Sequence, residues 1–207
     1  SIELHKDVHG AHVTNTNPTL TVEDYITSSI VRFGLLKDYI QEKLGVDYFA
    51  IEGNLGIARG IRFYLNNQKE RLTKLDQIKI LDIGPAIGAL TALLVLQELG
   101  RLGLLPKVRL ILADVSERVL NHTQQRDFQF PDLLIDKKFK KPILGKLRLS
   151  KGIIASAHKL PLKDNSIDIC TAGFLFHHLH DRIKKPAAAE IQRVVKPGGF
   201  IGIADEW

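Results

Sequence analysis

The 207-residue sequence contains no methionine, one cysteine and one tryptophan. The lack of even an initiating methionine predicts a processed or trimmed start. The lone cysteine, Cys170, excludes an intrachain disulfide framework and predicts a reducing, cytoplasmic setting. Long apolar runs are missing too. Stretches such as Leu93 to Leu96 fall far short of the roughly 20 residues that span a bilayer, so no membrane partner is expected. Ser1 opens a polar, histidine-containing segment with none of the marks of a signal peptide. Internal repeats and low-complexity tracts are absent, which excludes solenoids and collagen-like chains. What is present is globular: 44% hydrophobic and 25% charged residues, enough for a self-sufficient core in a chain of this length.

The charge balance is uneven. Lysine and arginine exceed aspartate and glutamate by six. Lys137, Lys138, Lys140, Lys141, Lys146, Arg148 and Lys151 face a single acid, Asp136, so one segment carries the whole excess. Charge of this density steers polyanions and makes RNA a secondary expectation as partner. It also suits a solvated basic loop, and Phe139 is the only aromatic residue in the run.

Along the chain, residues 1–20 read as irregular, with Gly10, Asn15, Asn17 and Pro18 favouring turns. His5, His9 and His12 would share a face only if helical, and Gly10 in their midst argues for a loose terminus instead of a metal site. Thr21 then predicts a helix cap, with apolar residues at the 3.6 period up to Leu44. A second helix is predicted over 47–65, containing Gly53, Gly56 and Gly60, which weaken a helix but allow close approach. From residue 78 short β-branched runs alternate with helices. Strands are predicted at 78–83, 108–113, 152–155, 167–172 and 200–204, the last after a Lys196-Pro197-Gly198-Gly199 turn. Helices are predicted at 89–99, 116–125 and 186–195. This alternation, with strands apolar on both sides, predicts an α/β fold with a parallel sheet covered on both faces. The domain reading is an irregular segment and helical cap over 1–70, then the α/β domain over 71–207 with a basic insertion at 127–151.

The strongest chemical signal is the run Ile80-Leu81-Asp82-Ile83-Gly84-Pro85-Ala86-Ile87-Gly88. It reads as a strand, a tight turn of small residues and a helix start. In an open α/β sheet this turn lies at the carboxyl edge, where ligands bind. A dinucleotide site wants G-x-G-x-x-G, but here the third position is Ala86 and Asp82 would repel phosphate. An acid there suits a ligand with a cationic amino-acid end. Asp114, twenty-six residues after Gly88, ends the second strand, where a carboxylate can hold both ribose hydroxyls or cap the next helix.

At this point residues 78–207 resemble the class I S-adenosylmethionine-dependent methyltransferases. ILDIGPAIG is similar to their first motif, LILADVS to their second strand, and ASAHKLPLKDNSIDIC to the segment leading into the fourth. FLFHHLHD and EIQRVVKPGGFIGIAD resemble the fourth strand's end and the fifth strand with its preceding helix. The resemblance implies a Rossmann-like, doubly wound, mostly parallel sheet of order 3-2-1-4-5, with the family's two C-terminal strands missing and the fifth strand's edge left to the N-terminal helices or a homodimer. It implies S-adenosylmethionine as cofactor. Gly84, Pro85, Ala86 and Gly88 would then wrap its methionine and ribose portions, with Asp82 at the ammonium end. Asp114 would hold the ribose and Val115 would pack on the adenine. Ser156 and Ala157 would lie at the adenine amino edge, and Gly173 and Phe174 at the sulfonium side. Three positions depart from the family's pattern: Ala86 replaces a glycine, Pro85 removes a backbone donor, and Ser156 replaces an acid.

The implied reaction is in-line attack of a substrate nucleophile on the sulfonium methyl group. Where that nucleophile must lose a proton, His177 is the candidate base, with His178 beside it as the alternative. Either imidazole could instead shape the pocket or pack structurally. A zinc site from His177, His178 and His180 lacks partners at ligand spacing. Cys170 reads as core, and Glu190 with Arg193 as a surface ion pair. The expected acceptor is a small molecule. RNA, reached through the basic run, and a non-catalytic scaffold on a degenerate site are the competing readings.

Overall fold

The structure, a computed structural model, describes residues 4–7, 10–13, 48–85, 89–125 and 135–205. The helix expected after Thr21, together with His9, Ala86 and Gly88, lies outside the described residues. The N-terminus departs from the expected irregular segment. Strands β1 (Leu4–Asp7) and β2 (Gly10–Val13) pair antiparallel, with His5 opposite His12. The helical spacing of those histidines therefore does not apply.

Five strands form the main sheet: β3 (Ile78–Ile83), β4 (Val108–Asp114), β5 (Lys151–Ile154), β6 (Ile167–Gly173) and β7 (Val195–Ala204). Their order is β5-β4-β3-β6-β7 and every neighbouring pair is parallel, which is the expected 3-2-1-4-5 arrangement. Because side chains alternate across a strand, β3, β4 and β6 feed two cores. Ile78, Ile80, Leu110 and Leu112 pack on one face with α1 (Tyr48–Lys74), α2 (Leu90–Arg101) and α4 (Lys137–Arg148). Leu81, Ile83, Ile111, Ala113 and Cys170 pack on the other with α5 (Asp181–Val194). A short helix, α3 (Glu117–Gln125), follows β4 and adds Leu120 to the first core.

Helix α1 runs nine residues past its expected end. The polar stretch 66–71 interrupts the apolar period, but Leu72 rejoins the stripe of Ile57, Ile61 and Leu65, all buried. Arg62 of α1 holds Glu98 of α2 with two hydrogen bonds of 2.8 and 2.9 Å, and Arg101 closes on the same carboxylate, which is buried. Such a pair adds little net stability, but losing one partner strands a buried charge.

The basic run is not a loop. Asp136 caps α4 by accepting from the Lys138 amide at 3.1 Å, and Phe139, Ile143 and Leu147 turn one face inward at i, i+4 spacing. Phe139 packs against Gly100, and Lys146 Nζ donates to the carbonyls of Pro106 and Val108 at 3.2 and 3.1 Å. These anchors lie where α2 ends and β4 begins, at the amino edge of the sheet.

Helix α5 starts five residues before Pro186, where the sequence places its start. His180 Nδ1 accepts from the Arg182 amide and Asp181 pairs with Lys184 in the first turn, so the cap lies upstream of the proline. The Lys196–Gly199 segment is a bulge inside β7. Val195 pairs with Ile167 and Phe200 with Ile169, so three extra residues loop out. Among the described residues no helix is long and apolar enough to cross a membrane.

Candidate functional site

Helices leave β3 toward one face and β6 toward the other, so the winding reverses between these two strands. Asp82 and Thr171 are directly paired there, one residue before the end of β3. The Thr171 hydroxyl donates to Asp82 Oδ1 at 2.5 Å, while Asp82 Oδ2 is buried with no hydrogen-bond partner among the described residues. Burial pushes the Asp82 carboxyl up to about 7, against the pull of the Thr171 hydroxyl and the Ala92 amide in the first turn of α2. A buried carboxylate oxygen without a protein donor suits a cation or a hydrogen-bond donor.

The turn after β3 is built for close approach. Gly84 has φ of 63°, its amide donates to Ala113 O at 2.8 Å, and a Cβ there would lie 2.8 Å from Leu175 Cδ1. Pro85 accepts from the Ala89 amide at 2.8 Å, and Ala89 opens α2 in the left-handed region. Gly88 and Ala86 lie outside the described residues, so their expected roles remain those of the sequence.

Next to this turn, Asp114 ends β4. Its Oδ1 accepts from the Ser116 amide at 2.9 Å, and Ser116, not Asp114, caps α3 by accepting from Val119. The capping reading of Asp114 is thus replaced by an Asx turn. Burial pushes its carboxyl up to about 6, offset in part by the amides of Ser116 and Val115. Val115, the residue after β4, is 58% exposed. Ser156 lies beyond β5 with its hydroxyl 2.7 Å from His158 Nδ1, and Ala157 is buried behind it.

On the other side of the reversal, Gly173 ends β6 and Phe174 follows with φ of 55°, its amide donating to Ala204 O at 2.7 Å. A left-handed aromatic residue at a strand's carboxyl end is local strain of the kind found at ligand sites. Helix α1 reaches this point: a Cβ on Gly53 would lie 2.8 Å from Phe174 Cζ, so a glycine is needed for the ring to fit. His177 sits in the 3₁₀ turn Phe176–His178, its ring 3.9 Å from that of His178.

The sequence reading missed one residue here. Asp205, just past β7, has a side chain 2% exposed and places Oδ1 2.5 Å from His177 Nδ1. Its other oxygen accepts from the Phe176 amide, and both oxygens lie 3.3 Å from the His177 amide. A signal was available: like Asp82 and Asp114, Asp205 is an acid at the carboxyl end of an apolar strand. Among the described residues no group of three potential ligands could hold a metal. Cys170 is buried core, its thiol pushed well up by desolvation. Glu190 and Arg193 form more than a surface pair, since Arg193 also bonds Asp164 and the carbonyls of Leu160 and Leu162, pinning that loop.

Comparisons with known proteins bear on the family and the fold. Residues 81–203 match the family described as a methyltransferase domain. A ubiquinone/menaquinone biosynthesis C-methyltransferase, UbiE, of Rickettsia prowazekii is 32% identical over 92 residues, 44% of this chain and 31% of the relative. The chain therefore spans about a third of that relative's length. A carbon methyltransferase, DszA, superposes over 72% of this chain and 33% of its own at 13% identity, with a TM-score of 0.51. An S-adenosylmethionine-dependent methyltransferase from Aquifex aeolicus covers 64% of this chain and 58% of its own at 24% identity, with a TM-score of 0.37. With the family matched over more than half of its length and the sheet wound in the order the motifs imply, this chain belongs to the methyltransferase-domain family of class I S-adenosylmethionine-dependent proteins.

Proposed function

We propose that this chain binds S-adenosylmethionine at the carboxyl edge of its sheet and transfers the methyl group to a small-molecule acceptor. The observation that carries this reading is the buried, unpartnered Asp82 Oδ2 at the winding reversal, beside the left-handed Gly84. That donor set fits the cofactor. Asp82 takes the ammonium end, while Gly84 and Pro85, with Ala86 and Gly88 after them, let the backbone lie against the methionine and ribose portions. The second oxygen of Asp114 faces the ribose hydroxyls, and exposed Val115 offers an apolar surface to the adenine. The Ser156 hydroxyl, 2.7 Å from His158 Nδ1, offers an oxygen lone pair to the adenine amine, with the buried Ala157 next to it. Gly173 and Phe174 bound the sulfonium side.

When bound, the cofactor supplies an activated methyl group. The protein aligns the acceptor and excludes water. Phe174, seated against Gly53 of α1, forms part of the wall on the acceptor side, and His177 is the side chain there that can take a proton. In this reading residues 71–207 are the cofactor-binding unit and the segment 1–70 contributes α1 up to residue 70, the helix running on across that boundary to Lys74. The outer edge of β7, with Ile201 and Ile203 42% and 43% exposed, is the surface through which a homodimer would form. The lone cysteine supports a cytoplasmic location.

RNA as acceptor is the second reading, supported by the exposed Lys137, Lys138 and Lys141 of α4. The anchoring of that helix at the amino edge, opposite the site, favours the small acceptor. Titration calorimetry with S-adenosylhomocysteine tests the leading reading. Binding in the micromolar range is expected, weakened about tenfold or more by Asp114→Ala, the loss of one charge-assisted pair. A heat of binding with NAD alone would remove the assignment.

A further inference from the structure

We infer that the amino edge of the sheet, opposite the proposed site, docks on an anionic lipid surface, with α4 lying along that surface and Leu149 entering its apolar boundary. The inference stands apart from the methyltransferase reading and uses none of its residues. Among the described residues no helix is long and apolar enough to cross a bilayer, and the contact is a peripheral one.

The path of α4 builds the surface. Phe139, near its start, packs on Gly100 at the end of α2, and Lys146, near its end, reaches the carbonyls of Pro106 and Val108 where β4 begins. Both anchors lie at the amino edge, so the helix lies across that edge. Phe139, Ile143 and Leu147 turn inward, and the helical period then fixes the outward face. One outer row carries Lys137, Lys141 and Arg148. The row beside it carries Lys138, Pro142, Gly145 and, at the C-cap, Leu149. A Cβ on Gly145 would meet nothing within 4 Å, so this row looks onto open space. Lys151 and Arg109, exposed at the starts of β5 and β4, carry the charge on round the edge. The acids here are Asp76 and Asp136, the latter 3.3 Å from Lys138 Nζ, and the cations outnumber them.

Two observations favour lipid over a nucleic acid. Leu149 is 85% exposed, and its row neighbours Pro142 and Gly145 have no side-chain hydrogen-bonding group. Phosphates of a nucleic acid would engage the lysines and leave that leucine in water. A bilayer engages both, its headgroups meeting the cations and its acyl boundary the leucine. Phe139, the one aromatic ring of the run, is packed against Gly100 and is not offered to a base. Docked in this way, the carboxyl edge faces the aqueous side.

Flotation of the 207-residue chain with vesicles tests this, using phosphatidylcholine alone and phosphatidylcholine with about 30% phosphatidylserine. Retention on the anionic vesicles alone is expected, with release at about 1 M salt. Lys138→Ala combined with Lys141→Ala should lower the partition coefficient about tenfold or more, since one cation near a charged membrane contributes about fivefold. Leu149→Ser should lower it about threefold or more. All three side chains are exposed, and matching melting curves of wild type and variants check that the fold is kept. Equal retention on neutral vesicles, or none on either, would overturn the inference. Anionic retention unmoved by Leu149→Ser would leave only a general polyanion surface and overturn the lipid assignment. Displacement from the vesicles by an RNA of about 20 nucleotides at equal phosphate concentration would give the surface to nucleic acid instead.

Discussion

Three carboxylates at the carboxyl edge share a position at the end of an apolar strand, and their partners set them different tasks. Asp114 is tied by an Asx turn, Asp205 faces an imidazole, and Asp82 keeps one oxygen buried without a partner. The raised Asp82 has a consequence for stability. Its folded value, about 7, lies above the ordinary 3.8, so the folded state holds the proton more tightly than the unfolded chain. That contribution is fully present below about pH 4 and is lost as pH rises through 7. The ligand-free protein should therefore be less stable at pH 8 than at pH 5, with Asp82 accounting for on the order of 2 kcal/mol. Urea denaturation of the wild type and Asp82→Asn at both pH values checks this, and equal slopes in the two proteins would refute it. The ligand side has the opposite sign: an ammonium group wants the ionised form, so affinity for S-adenosylhomocysteine should rise more steeply from pH 6 to 8 in the wild type than in the variant, where only Asp114, raised to about 6, still ionises at the lower end of that window.

At the scale of elements, the bulge in β7 shows how a loop motif can become a joint. Asp168, fully buried, accepts from the Lys79 amide at 2.9 Å and from Lys196 Nζ at 2.8 Å, tying β3, β6 and the bulge together. Tyr64 and Arg71 of α1 reach the Gly198 carbonyl from outside at 3.1 and 3.3 Å. Gly199 sits in the middle. A Cβ there would lie 2.7 Å from Val195 Cγ1 and 2.9 Å from the carbonyls of Asp168 and Lys196. Two of those neighbours are backbone and cannot step aside, so Gly199→Ala should cost about 2–4 kcal/mol in chemical denaturation. A loss under about 1 kcal/mol would mean the bulge relaxes freely. Sequence patterning located this motif but read it as a turn between elements, because Pro-Gly-Gly is turn chemistry wherever it occurs. Only the pairing of Val195 with Ile167 showed that the strand begins before it. Helix α4 was obscured in a similar way: seven basic residues in the run drew the eye from Phe139, Ile143 and Leu147 at helical spacing.

For the whole molecule, charge and chemistry occupy opposite ends of the sheet. The proposed site lies at the carboxyl edge, while the basic helix is fastened near the amino edge through Phe139 and Lys146. A small acceptor then needs nothing from the lysines. Replacing Lys137, Lys138, Lys140 and Lys141 with Ala should leave S-adenosylhomocysteine affinity within about twofold while abolishing any salt-sensitive RNA retention. Tight binding of an RNA of about 20 nucleotides at about 200 mM salt, lost in the variant, would transfer the acceptor assignment to RNA.

The sequence by itself determined the α/β class, the parallel sheet, the tight turn after β3 and the acids Asp82 and Asp114 at the carboxyl edge. Each of these is written locally, in strand periodicity or in the residue types a tight turn demands. Tertiary structure decided what depends on distant partners: that Ile61, Leu65 and Leu72 place α1 in the main core, that Thr171 occupies one oxygen of Asp82 and leaves the other bare, and that Asp205 meets His177. Residues 28 positions apart in different strand ends become a pair only when the sheet assembles, and no local pattern encodes that distance.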